Sequence, residues 1–158
     1  MALPTKLTLE IVTPDRALVT EQVDEVELPG SEGYFGVLPG HTELLASLQV
    51  GELWYRIGQE KFYLAVAFGF VEVLPDHVTV LARVAEKSQD IDVGRAESAK
   101  KRAESRVASP SPDMDFERAR VAQLHDAFLV YNRGRGFSAR EHFVQHLFSL
   151  FGADLPSR

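Results

Sequence analysis

Five histidines, at positions 41, 77, 125, 142 and 146, are the side chains of this sequence best suited to proton transfer or metal binding near neutral pH. His142 and His146 stand four residues apart, which on a helix would put both imidazoles on one face at metal-ligand spacing. The glutamate that a zinc protease carries between such a pair is missing, and no third ligand is apparent, so the reading is of no metal site. His41 and His77 fall in turns, where solvated or interface roles are expected. With no cysteine there is no thiol nucleophile and no thiolate metal site, and neither a Ser-His-Asp set nor a carboxylate pair is recognisable. The glycine-dense stretch Leu28-Pro-Gly-Ser-Glu-Gly-Tyr-Phe-Gly-Val-Leu-Pro-Gly-His41 invites comparison with a phosphate loop. Such loops must open directly into a helix whose N-terminus faces the anion, yet Gly36 runs into Val37-Leu38-Pro39 and there is no Gly-Lys-Ser/Thr. Tight turns between strands are the better reading. No catalytic residue is assigned. One further group has chemistry to offer: the basic stretch from Arg95 to Arg106, either a solvated helix face or a surface for an acidic partner or anionic ligand.

The elements that must carry these residues fall into two kinds. From Leu7 to about Ala85 the chain reads as short strands between turns. Leu7, Leu9 and Ile11 alternate with Thr8, Glu10 and Val12, followed by Thr13-Pro14-Asp15 as a turn. Further extended stretches are expected at 23–28, Glu52–Ile57, Lys61–Phe68, Phe70–Leu74 and Val78–Ala82. Strands so short and evenly spaced, with no helix between them, predict an antiparallel sandwich or barrel. From Ile91 to Ala108 there is no proline and a run of Ala, Glu, Lys and Arg, which predicts a helix with Asp92 as its N-cap or as an acid in its first turn. Ala96, Ala99, Ala103 and Val107 make a narrow stripe of small side chains along it. Ser109-Pro-Ser-Pro112 stops that helix, and a second is expected from about Phe116 to Asn132, packed antiparallel on the first. Ser138 and Glu141 form a capping box before a third, short amphipathic helix that includes Phe143, Leu147, Leu150 and Phe151.

Bulk properties agree with this division. At 158 residues the chain is long enough for one domain or two small ones, and 45% apolar with 25% charged residues is ordinary for a folded globule. Residues 1–90 hold 14 acidic against 6 basic side chains, a charge of −8, whereas residues 91–158 hold 9 against 11, a charge of +2. The overall −6 argues against non-specific nucleic-acid binding. Leu64–Val71, the longest apolar run, is too short to span a bilayer, and the first residues lack the marks of a secretion signal or transit peptide, so the chain is expected to stay in the compartment where it is made.

Leu28–His41 followed by Glu43-Leu44-Leu45, then Gly69-Phe-Val-Glu-Val73, Val78-Thr-Val-Leu-Ala82 and Ile91-Asp-Val-Gly-Arg-Ala96, resembles in order and spacing the epsilon subunits of F-type ATP synthases. The resemblance covers about residues 5–130. It implies a flattened ten-stranded β-sandwich followed by an antiparallel helix hairpin: a β-sandwich domain over 1–88, a regulatory hairpin over 89–132 and an added segment with its own helix over 133–158. It implies a non-catalytic rotor subunit, in which the sandwich binds gamma and sits on the ring of c subunits. The helices would act as a mobile brake on ATP hydrolysis that reaches the alpha and beta subunits. Glu32, Tyr34 and His41 would be the ring-contact residues, and the complex would hold the chain peripherally at the cytoplasmic face of a bacterial plasma membrane. No cofactor is required by this reading. Some members bind ATP as a regulatory ligand through a motif that Ile91, Asp92, Arg95 and Ala96 match, with Glu86 and Arg102 at corresponding positions. Two arginines of those members are replaced here by His125 and Leu129. The same Asp92 and Arg95 read equally as a helix cap, and a stand-alone nucleotide-sensing module is the alternative function.

Overall fold

The computed structural model describes residues 3–108, with the side chains of residues 93, 103, 106 and 107 excluded. The second hairpin helix expected over 116–132, the extension 133–158, and His125, Leu129, His142 and His146 all lie outside the described residues. The chain divides into two units, Met1–Lys87 and Ser88–Arg158.

The first unit is all β. Its strands are β1 (Leu7–Val12), β2 (Ala17–Val23), β3 (Glu25–Gly30), β4 (Gly33–Val37), β5 (Leu44–Leu48), β6 (Gly51–Ile57), β7 (Glu60–Val73) and β8 (His77–Lys87). β7 and β8 form a long hairpin that serves two layers. The first half of β7 pairs with β6, from Ile57↔Glu60 to Gly51↔Val66, and its second half pairs with β5, from Leu48↔Gly69 to Leu44↔Val73. One layer is therefore β2-β1-β8-β7-β5 and the other β4-β3-β6-β7-β8, joined again where Gly30 of β3 meets Leu48 of β5. This gives the ten strand positions of the expected sandwich from only eight continuous strands, because β7 and β8 each fill a position in both layers. Lys61–Phe68 and Phe70–Leu74, expected as separate strands, are one strand bent at Phe68-Gly69, with φ of +58° and +116°. One ladder departs from the antiparallel expectation: β1 runs parallel to β8, from Thr8↔His77 to Val12↔Leu81. Parallel neighbours need a long crossover, and the whole run of six strands between β1 and β8 supplies it.

Alternation accounts for the core. On β1 the buried residues are Leu7, Leu9 and Ile11, as the period of two requires. They pack with Val23, Val26, Leu28, Val37, Leu53, Leu64, Val66, Val71, Val78 and Val80 in one buried cluster. Outside it, a charged brace ties three corners together. The Asp24 carboxylate at the β2–β3 corner accepts the Gly58 N–H of the β6–β7 turn at 2.6 Å and pairs with Lys6 Nζ at 2.5 Å. Arg56 approaches the same carboxylate at 3.7 Å, pairs with Glu25 at 3.3 Å and donates to Gly58 O at 2.9 Å.

The second unit begins with a single 3₁₀ turn, Ser88–Asp90, and continues into α1 (Val93–Ala108). The helix starts two residues later than Ile91 because Asp92 is its N-cap. The Asp92 side chain accepts the Arg95 N–H at 3.0 Å, and its carbonyl accepts the Ala96 N–H at 3.0 Å. Lys100 and Glu104 form an i, i+4 pair at 3.8 Å, while Arg95, Lys101 and Arg102 are exposed.

Two measurements test this frame. A Cβ at Gly69 would lie 1.9 Å from the Leu81 carbonyl oxygen, at a φ that L-residues avoid. Gly69→Ala is expected to cost more than about 4 kcal/mol and lower the melting temperature by more than about 15 °C. Gly36→Ala, where a Cβ meets nothing within 4 Å, is the matched control and should change little. The Asp24 carboxyl is held below its ordinary 3.8 first by the hydrogen bond from Lys6 and then by that from Gly58. Its folded form thus binds a proton less readily than the unfolded one, and its contribution is present above the ordinary value and lost as pH falls through the depressed one. In thermal melts across pH, Asp24→Asn should be less stable than the native chain above about pH 5, with the gap closing below about pH 3.

Candidate functional site: turns and an apolar sheet face

The turn Ser31-Glu32 joins β3 to β4, and its glycine Gly33 adopts φ +129° with open space around it. Ser31 N–H is held by Ser47 O at 2.9 Å, so the turn starts anchored to β5. Glu32 is exposed. Tyr34 is half-buried, and its Oη accepts the Glu52 backbone N–H of β6 at 3.2 Å. The loop that leaves β4 turns at Gly40, φ +82°, whose N–H donates to Pro75 O at 2.6 Å. His41 follows, half-buried, with Nδ1 2.6 Å from Thr42 O, a contact that the tautomer protonated at Nδ1 makes as a donor. Glu32 and His41 are therefore on different turns at opposite ends of β4, separated by about 16 Å of strand. Of the three expected contact residues, Glu32 is an exposed tip, His41 is fastened to its own loop, and Tyr34 is turned back into the fold.

One exposed apolar feature of the first unit is missed by sequence reading. Along the outer face of the β2-β1-β8-β7-β5 layer, one rung runs Ser47–Phe70–Leu81–Val12 and the next runs Leu45–Glu72–Thr79–Glu10–Thr20. Phe70 is 57% exposed, Leu81 55% and Leu45 73%. Contiguous exposed side chains of this size on a water-facing sheet mark a contact surface. A polar margin flanks them: Gln22 Nε2 donates to Thr8 Oγ1 at 2.7 Å, and His77 Nε2 lies 3.3 Å from Glu10 Oε2. The run Leu64–Val71 gave no signal of this face: Leu64, Ala65, Val66 and Ala67 are all buried, and only beyond the bend does Phe70 turn outward.

For the residues matching the ATP motif, Asp92 caps α1 through the Arg95 backbone, Ile91 and Ala96 are buried, and Arg102 lies two turns beyond Arg95. Glu86 belongs to β8, paired with Ala65. Elsewhere, burial and then the Glu52 carboxylate push the Tyr63 phenol up to about 12, so it stays protonated and makes a poor base. Among the described residues no group of three His, Asp or Glu is placed to hold a metal ion, and no helix is long and apolar enough to cross a membrane.

Residues 6–88 match the family model of the ATP synthase delta/epsilon chain β-sandwich domain, and residues 89–125 match that of its long α-helix domain. The ATP synthase epsilon chain of Syntrophobacter fumaroxidans is 51% identical over 117 residues, 74% of this chain and 87% of that one. The ATP synthase epsilon chain 2 of Syntrophotalea carbinolica is 47% identical over 132 residues, 83% of this chain and 96% of its own length. A chain in the cryo-EM structure of the Euglena gracilis mitochondrial ATP synthase shares the fold with a TM-score of 0.71 at 24% identity, each chain covered over 82%. Sandwich, helix and these likenesses lead to one conclusion: the chain belongs to the ATP synthase delta/epsilon family.

Proposed function

We propose that this chain is the epsilon subunit of a proton-translocating ATP synthase, a non-catalytic element of the central stalk. Its sandwich, residues 1–88, binds gamma and meets the c-subunit ring, so that ring rotation reaches the catalytic head. Residues 89–132 regulate ATP hydrolysis through contacts with the alpha and beta subunits, and the added segment 133–158 tunes how freely they do so. The observation that carries the gamma contact is the exposed Phe70–Leu81 rung with Leu45 beside it. Such a face is stable in water only at a cost that a partner removes. Glu32 and His41 are the ring contacts, with Tyr34 behind Glu32. The exposed cations Arg95, Lys101 and Arg102 suit an acidic partner surface. In a bacterial cell the complex holds the chain peripherally at the cytoplasmic face of the membrane. No cofactor is needed, and ATP acts, where it binds, as a regulatory ligand near Glu86, Ile91, Asp92, Arg95, Ala96 and Arg102.

Mixing the chain with gamma on a sizing column tests the central claim. Co-elution is expected, and Leu81→Glu should weaken it at least about tenfold while leaving the fold intact, because the side chain is already solvated. Unchanged co-elution of both Leu81→Glu and Phe70→Glu would remove this face from the interface. At the helix, Asp92→Ala should cost α1 about 1 kcal/mol while Asp92→Asn, which keeps an acceptor oxygen, costs little. Hydrogen exchange at the Arg95 amide reads the cap. ATP titration of the same full-length variants reads the ligand role, which Asp92→Asn would impair without loosening the helix.

A further inference from the structure

Tyr34 sits where three strands are knitted together by side chains rather than by the ladder. It is directly opposed to Pro29 across the β3–β4 pair. The β3–β6 ladder runs Glu25↔Arg56, Val26↔Tyr55, Glu27↔Trp54, and extending that register by two would set Pro29 against Glu52. The ladder does not extend that far. Pro29 has no N–H to give, and its carbonyl accepts Gln49 N–H at 3.0 Å instead. The Glu52 N–H is taken by the Tyr34 hydroxyl at 3.2 Å. Gly51 leaves the room for this: a Cβ there would fall 2.7 Å from Tyr34 Oη and 2.5 Å from Pro29 Cβ. The phenol thus occupies the space of the missing side chain and substitutes for a missing backbone acceptor.

The consequence falls on the turn next to it. Gly33, at φ +129°, pairs with Gly30 across the turn but carries no side chain, and a Cβ there would meet nothing within 4 Å, so no side-chain packing stiffens the chain just after Glu32. On one side the turn is fixed by Ser31 N–H to Ser47 O. On the other, the side-chain anchor is Tyr34. We infer that Tyr34 is a positioning residue: its phenol, lodged over Gly51 and bonded to Glu52 N–H, sets the direction in which Glu32 is presented and does not itself touch the partner. The inference rests on the reading of this turn as a ring contact, and it moves Tyr34 from that contact to the strut behind it.

The sequence has no cysteine, so a single Glu32→Cys substitution in the full chain can be labelled cleanly with a nitroxide. Adding Tyr34→Phe, which deletes only the oxygen, should raise the mobile fraction of that label's spectrum about twofold. A control label introduced through Thr20→Cys, at an exposed position of β2, should not change. In the assembled synthase, a photo-cross-linker attached through Glu32→Cys should lose several-fold of its yield to the ring subunit when Tyr34→Phe is added, while gamma co-purification holds. An unchanged spectrum at position 32 overturns the inference, as does equal loosening at positions 32 and 20, which would mean general destabilisation. A loosened turn with an unaltered cross-link also overturns it. Local loosening at position 32, combined with no cross-link even when Tyr34 is intact, would uphold the strut and refute the ring contact instead.

Discussion

The bend of β7 at Phe68-Gly69 governs the rest of the first unit. Before it the residues that join the core cluster are Leu64 and Val66, with Ala65 and Ala67 buried on the opposite face; after it they are Val71 and Val73. Inward positions are even on one side and odd on the other, a phase change of one residue within a single strand. β8 changes phase with it, from Val78, Val80 and Ala82 to Ala85, and the register between the two strands is the same on both sides. A one-residue change of phase exchanges the faces of every following side chain. Had β7 kept its first phase, Phe70 would be inside and Val71 outside. The apolar outer rung therefore follows from the same backbone twist that lets one hairpin serve two layers. A non-glycine at φ +58° costs on the order of 1 kcal/mol, and it persists because β5, β6 and β8 hold both halves of the strand.

How much of this could be read beforehand depends on what each residue had to reveal. β1 was legible because Leu7, Leu9 and Ile11 are apolar and their neighbours are mostly not. β6 and the Asp92 cap were legible for similar local reasons. β2, Ala17-Leu-Val-Thr-Glu-Gln-Val23, buries only Val19 and Val23 and carries too weak an alternation to announce itself. β4 was hidden by its glycines, Gly33 and Gly36, which read as turn residues although the chain between them is extended and paired with β3. β5 exposes Leu44 and Leu45 and buries Leu48, against the expectation that apolar means inward. In each case the missing information was tertiary: which neighbour pairs with the strand and which layer covers it.

The same limit explains the candidate site. Glu32 could be placed on a turn tip from its flanking glycines alone. Tyr34 could not be placed, because its role depends on Gly51 and Glu52, which become neighbours only when β3 stops pairing with β6 at Pro29. Asp24 is another case: Lys6 meets it from the chain before β1, and Arg56 and Gly58 from the distant end of β6 and the turn after it. These polar links are individually modest. Their value lies in position, since each fastens a corner or turn that the apolar core does not reach.

A coupler needs a part that does not deform and a regulator needs a part that can exchange partners, and the two units differ in the physical terms that decide this. The sandwich stacks branched aliphatics from both layers into one cluster, so moving any strand opens a cavity at a cost of several kcal/mol. α1 has only Ala96 and Ala99 as described small side chains along its seam, and half of its described exposed positions are charged, three of those four basic. Alanine buries little area, so whatever surface this seam meets gains little per contact and loses little on release. A 16-residue helix is marginal alone, and Asp92 at its start and the Lys100–Glu104 pair further along are local devices that travel with it. A helix stabilised from within, offering a weakly adhesive seam and a cationic face, can leave one surface for another without first unfolding. That is the property a brake on rotation requires.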